Sequence, residues 1–152
     1  MYEYRASLIK VVDGDTVDVD IDLGFGVWLK DERVRIMGID TPESRTSDKV
    51  EKLFGLAAKN RVKELLGEQV ILKTIAAKDG EDMKGKFGRI LGDFFVGSDK
   101  KLLSEVMIEE GHAVPYHGQS KDDIQAKHLS NRERLVNKGV VILEDVLNEG
   151  LK

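Results

Sequence analysis

Four short segments gather acids and arginines in a fixed order. They are Val12-Asp13-Gly14-Asp15-Thr16, the isolated Arg35, Ile39-Asp40-Thr41-Pro42-Glu43, and Lys86-Phe87-Gly88-Arg89. Carboxylates supply oxygen to hard cations and can take a proton from water. Guanidinium groups are planar and permanently charged, and they can meet a phosphate with two parallel hydrogen bonds. Each segment also has a plainer reading. Asp-Gly is a common hairpin turn, and Thr-Pro-Glu is a capped start to a helix or turn. Arg35 could be a solvated strand residue, and the basic segment a surface loop. Taken singly, none of them decides between chemistry and architecture.

The elements around these segments read as follows. Residues 6–12 are apolar and β-branched. Residues 16–23 alternate with period two, with Val17, Val19, Ile21 and Leu23 on one face and Thr16, Asp18, Asp20 and Asp22 on the other. That is the pattern of a half-buried strand, and it makes the aspartates a solvated face. Residues 32–37 alternate again. A helix is expected over 50–66, closed by Gly67, then strands over 69–75 and 89–96. Two further helices are expected over 101–110, with Leu102, Leu103, Val106 and Met107 inward, and over 121–138; Gly111 and Gly139 would stop them. Residues 140–147 fit either a short helix or a strand. The order is three strands, helix, two strands, helix, helix. It predicts an α+β fold, a five-stranded Greek-key OB-fold β-barrel with three α-helices. A plain α+β sandwich is the alternative.

Composition narrows the classes. The chain has 152 residues, 41% apolar and 34% charged, which suits one globular domain. It has no cysteine, so disulfides, Cys-ligated zinc, iron–sulfur clusters and a thiol nucleophile are excluded. His112, His117 and His128 match no metal-binding spacing. No apolar run approaches a membrane span. No signal peptide follows Met1, so the chain is expected to act in the cytoplasm, with phage origin one option, unless a leader was removed. The net charge of −4 does not by itself suggest a nucleic-acid partner. Its distribution is uneven: residues 13–22 carry five acids and no base, whereas residues 59–89 carry eight bases and five acids.

Taken together and in order, the segments VDGDT (12–16), Arg35, IDTPE (39–43) and KFGR (86–89) resemble the thermonuclease, or staphylococcal nuclease-like, family. The resemblance extends over about residues 6–138 and includes GHAVPY at 111–116, leaving 139–152 as an extension of a single domain. It implies a calcium-dependent nuclease acting on DNA and RNA, cutting at the 5′-oxygen to leave 3′-phosphate ends. By this correspondence Asp15, Asp40 and the carbonyl of Thr41 would hold Ca2+. Glu43 would hold or deprotonate the attacking water, and Arg35 and Arg89 would grip the phosphate. Lys84, Lys86 and Tyr116 would contact the substrate. Asp15 and Asp40 can meet if one begins the second strand and the other follows the third strand of one sheet. Asp13 would support the ion from behind or simply cap its turn. A monomer is expected. The alternative function is a non-catalytic OB-type module that binds nucleic acid or protein.

Several residues depart from the family pattern. Phe87 stands where many relatives have tyrosine, Gly85 where an acid is common, and residues 140–143 lack a late tryptophan. Residues 23–32 form a long hairpin carrying Trp28 and Phe25. It could be a tip for stacking bases, a flap over the barrel, or a dimer contact.

Overall fold

The burial of the second strand follows its sequence: Val17 and Val19 are wholly buried and Ile21 nearly so. The computed structural model describes residues 2–74 and 89–143. In chain order the elements are β1 (Glu3–Asp13), β2 (Thr16–Asp22), β3 (Trp28–Ile36), β4 (Ile39–Asp40), α1 (Lys49–Leu65), β5 (Gln69–Thr74), β6 (Ile90–Val96), β7 (Lys101–Leu102), α2 (Leu103–Glu110), β8 (Val114–Pro115) and α3 (Lys121–Asn137).

The sheet runs β3-β2-β1-β5-β6-β7, and a further pairing of β3 with β6 closes β1, β2, β3, β5 and β6 into a barrel. The closing pair is parallel, with Val34 opposite Ile90 and Arg35 opposite Leu91, while the other pairs are antiparallel. β1 pairs on both edges, with β2 and with β5, and carries two irregularities, after Leu8 and after Val11. Such bulges bend a strand and increase its twist, which lets one strand serve both halves of a small barrel. This is the five-stranded α+β barrel with three helices that the strand and helix order predicts, not an open sandwich. Its interior is filled by Val17, Val19, Val34, Ile36, Leu72 and Phe94, and Ala58, Val62, Leu103 and Met107 of the helices cover it. A smaller cluster of Phe54, Leu135 and Val141 joins α3 to α1. Among the described residues no helix is long and apolar enough to cross a membrane.

Several local expectations change. α1 is capped by Asp48, whose Oδ1 accepts from the Val50 and Glu51 amides at 3.1 Å, and not by the Thr41-Pro42 pair. Gly67 does not close it; the helix ends at Leu66 in extended conformation. α2 begins at Leu103, because Lys101 and Leu102 pair with Val96 and Phe95 as β7, and Leu102 is half-buried instead of inward. β3 starts at Trp28, opposite Asp22, so the hairpin loop shrinks to 23–27. Phe25 is fully exposed at its tip, so the tip is not a flap over the barrel. Residues 140–143 form neither helix nor strand. The basic loop at 84–88 and residues 144–152 lie outside the described residues.

The aspartates of β2 are not a uniformly solvated face. Asp18 is buried, and both its oxygens accept from Arg33 opposite, at 2.9 and 3.2 Å. Asp20 is half-buried, accepts from the Asp31 amide and lies 3.5 Å from Lys30 Nζ.

α1 approaches the rest of the chain where its side chains are smallest. A methyl at Gly55 would stand 2.3 Å from the Glu43 carbonyl oxygen and 2.7 Å from the Ser44 nitrogen. A methyl at Gly14 would stand 2.8 Å from Ala58 Cβ and 3.1 Å from Thr41 Cγ2. Both distances are shorter than carbon contacts permit. Gly55→Ala must therefore displace the 43–44 peptide, costing about 1–3 kcal/mol; a melting temperature equal to wild type would reject this.

On the opposite flank, Arg61 of α1 clamps Glu110 of α2 with two hydrogen bonds of 2.6 and 2.9 Å. Beside it His112 is buried, and its Nδ1 has no hydrogen-bond partner. Burial holds its imidazole below the usual histidine value; Arg61 and Lys138 lower it further, while Glu110 and Glu64 oppose. As pH falls below about 6.5 the unfolded chain takes up this proton before the folded one, so the contribution present above that pH is lost below it. The drop in melting temperature between pH 7.5 and 5.5 should be smaller in His112→Leu than in wild type; equal drops would exclude His112 as the cause.

Candidate active site

Three elements bring the acids together. Asp13 ends β1 and Asp15 immediately precedes β2, so the tight turn puts both at one mouth of the barrel. Asp40 lies on β4, which pairs only with β8. Thr41 to Ser47 then cross the mouth as irregular chain before α1 begins. The crossing is pinned from two sides: the Ser44 hydroxyl donates to Asp13, and Gly55 of α1 admits the 43–44 backbone from below.

Arg35 ties the two acidic segments to each other. Its Nη1 donates to the Ile36 carbonyl at 2.6 Å and its Nη2 to the Ile39 carbonyl at 2.7 Å, which fixes the β3–β4 turn. The same Nη2 lies 3.5 Å from Asp15 Oδ2, and the Asp15 carbonyl accepts from the Ile36 amide at 2.8 Å. The other oxygen of Asp15, Oδ1, accepts from the Thr16 hydroxyl at 2.9 Å. Arg35 thus meets Asp15 on one side and the residue before Asp40 on the other.

Glu43 faces this group. Partial desolvation pushes its carboxyl above the ordinary range, and Asp13, Asp15, Glu51 and Asp40 push the same way, in that order. The mouth therefore holds a surplus of negative charge close enough to be felt by one carboxyl. Beside it an open cleft of about 950 Å³ is lined by Asp13, Arg33, Glu43, Arg45 and Arg89, among others. Arg89 reaches the cleft because it directly precedes β6, whose first residue pairs with Val34 of β3. A second groove, of about 830 Å³, lies against β5, β6 and the end of α1 and contains none of these residues.

The expected site residues therefore divide as follows. Glu43 and Arg89 line the cleft; Asp15 and Asp40 act on Glu43 from nearby and Arg35 lies against Asp15, but these three do not line the cleft itself. Thr41 is buried against Gly14, and its hydroxyl has no hydrogen-bond partner. Asp13 neither caps its own turn nor faces the solvent alone; it anchors Ser44. Tyr116 is exposed, outside the cleft, with its amide held by the Gly38 carbonyl at 2.8 Å next to β4. Trp28 lies along β3 near the tip, with Lys30 Nζ 5.2 Å from its ring centre. Lys84 and Lys86 fall outside the described residues.

Three residues join the site that sequence reasoning passed over. Arg45 lines the cleft two positions after Glu43, and an extra arginine so near the acid motif was a usable signal. Ser44 needed the fold to be seen. His128, which reads from sequence as one more polar residue among the charges of α3, is buried and its Nε2 lies 2.6 Å from Asp40 Oδ2.

The donor set is a test of what could bind. Among the described residues no three His, Cys, Asp or Glu side chains form a ready-made metal cage. What is present is hard oxygen: two carboxylates, a nearby backbone, and excess negative charge. That suits a calcium-type cation completed by water, and not a soft or tetrahedral metal.

The chain is similar to several curated proteins. It is 33% identical over 104 residues to a thermonuclease of Staphylococcus intermedius, covering 68% of this chain and 55% of that protein. It is 33% identical over 109 residues to endonuclease YncB of Bacillus subtilis (72% and 46%), and 28% identical over 126 residues to a micrococcal nuclease of Shigella flexneri (78% and 62%). The chain thus spans about half to two thirds of the length of these relatives. The description "Staphylococcal nuclease homologue" matches residues 33–139, from Arg33 beside Asp18 to the glycine that follows α3. With the barrel topology and the gathered acids and arginines, this match places the chain in the staphylococcal nuclease family.

Proposed function

We propose that this protein is a calcium-dependent nuclease that hydrolyses phosphodiester bonds of DNA and RNA at the 5′-oxygen, leaving 3′-phosphate ends. The observation that carries the reading is the convergence of Asp13, Asp15 and Asp40 on Glu43, with Arg35 and Arg89 alongside. Asp15, Asp40 and the Thr41 carbonyl would hold the cation. When bound, the cation would polarise the phosphate and offset the negative charge that builds up on it.

The remaining work falls to the chain. Glu43 orients a water and takes its proton as the oxygen attacks phosphorus; the bond to the 5′-oxygen breaks, and that oxygen leaves and takes a proton from solvent water. Arg89 presents its guanidinium to the phosphate across the cleft. Arg35 has given N–H groups to two carbonyls and keeps others for the phosphate, so the same side chain fixes the turn and meets the substrate. Donors fixed before substrate arrives stabilise the transition state without reorganising. Arg33 is less suited to this task, because Asp18 already occupies its fork.

Purified protein should cut plasmid and RNA in calcium and stop on chelation, and calcium should raise its melting temperature. Binding of nucleic acid without cutting would instead leave the non-catalytic OB-type module. Arg89→Ala should lower kcat/KM by about 10²–10³-fold with the melting temperature unchanged; retained turnover would remove Arg89 from the phosphate site. Glu43→Gln should lower kcat by about 10²–10⁴-fold while affinity for an uncleaved oligonucleotide holds. A matching fall in affinity would take Glu43 out of the chemical step.

A further inference from the structure

His128 has no part in the reaction outlined above, yet its surroundings are unusual for a polar residue on a helix with so many charges. It is buried, and its Nε2 lies 2.6 Å from Asp40 Oδ2, 88 positions away in sequence. A carboxylate only accepts, so the imidazole donates this hydrogen bond.

The two partners are held with unequal firmness. α3 is fixed at several points: Ser120 caps it, Asn131 Nδ2 donates to the Ala113 carbonyl at 3.3 Å, and Leu135 packs with Phe54 and Val141. β4, which carries Asp40, is two residues long and is paired only with β8. The Asp40 backbone therefore fixes its carboxyl less well than a long strand would, and the helix supplies the missing constraint.

The number of oxygens taken also matters. Arg33 occupies both oxygens of Asp18, at 2.9 and 3.2 Å, and leaves that carboxylate with no face for another ligand of comparable strength. A single imidazole N–H occupies only one oxygen of Asp40. We propose that His128 is a positioning residue for cation binding: by holding Oδ2 it sets the orientation of Asp40 and reserves Oδ1 for the ion. This rests on the reading of Asp40 as a cation ligand. Groups that steady a ligand from behind change metal affinity by about 10–100-fold when removed.

The test is calorimetric titration of CaCl2 into wild type, His128→Gln, His128→Asn and His128→Leu, with the melting temperature of each metal-free protein recorded. Gln offers an amide N–H at about the reach of imidazole Nε2, whereas Asn falls short and Leu offers none. Calcium affinity should fall about 10-fold or more in Leu and Asn and recover in Gln, whatever the order of the metal-free melting temperatures. If Leu fails to fold, the contrast between Gln and Asn carries the test. Unchanged affinity in Leu or Asn, or equal loss in Gln and Asn, overturns the role of His128 alone. A wild type that cuts nucleic acid yet takes up no calcium overturns the role of His128 and the assignment of the cation, but not the nuclease. A wild type that does neither overturns the whole reading.

Discussion

α1 packs closely against two segments that carry acids, through bare backbone at Gly55 and through the methyl of Ala58. At Gly55 it meets the Glu43 carbonyl, and at Ala58 it meets Gly14 of the β1–β2 turn. Protein interiors are close-packed, so a separation set by such contacts can neither widen nor narrow without cost. The helix is thus a common floor on which the β1–β2 turn and the 41–47 crossing both rest. Asp13 and Asp15 ride on one and Glu43 on the other, and their spacing follows from the size of two side chains that are hydrogen and methyl.

That spacing is electrostatically expensive in isolation. Carboxyls gathered near one another repel, and Glu43 is lifted first by partial burial and then by that repulsion. The chain leaves these acids only partly paired. Arg35 touches Asp15 only at 3.5 Å and spends its shorter bonds on carbonyls. Asp18, one pair further along β2, shows the other outcome: full pairing with Arg33, burial, and no part in the cluster. Asp15, just before β2, and Asp18 within it have different fates because only Asp18 has an arginine directly opposite that takes both its oxygens.

Much of this was legible in the letters. The period-two run at 16–22 gave β2 its inward face, because valines at alternate positions can be buried only one way. The acid and arginine motifs lie in turns and strand ends, where short local signatures are legible. What escaped was settled by pairing across distance. Lys101 and Leu102 look helical until β6 claims them, and Asp18 looks solvated until the register sets Arg33 opposite. The Asp48 cap of α1 went unremarked in the sequence, although an aspartate just before a helix is a usable signal. His128 lay beyond any local pattern, because its partner is on a strand far earlier in the chain.

The parallel seam between β3 and β6 has a consequence for how the molecule comes into being. Arg35 sits within that seam and Arg89 at its threshold, so the gap between the two guanidiniums is inherited from a ladder joining Val34 to Ile90. Contacts this remote along the chain form late in folding, after hairpins and helices. A nascent chain that already possesses β1, β2, β3 and α1 would therefore have its carboxylates but not its pair of cationic arms. The spacing of the two guanidiniums would be set only when the last stave of the barrel is in place.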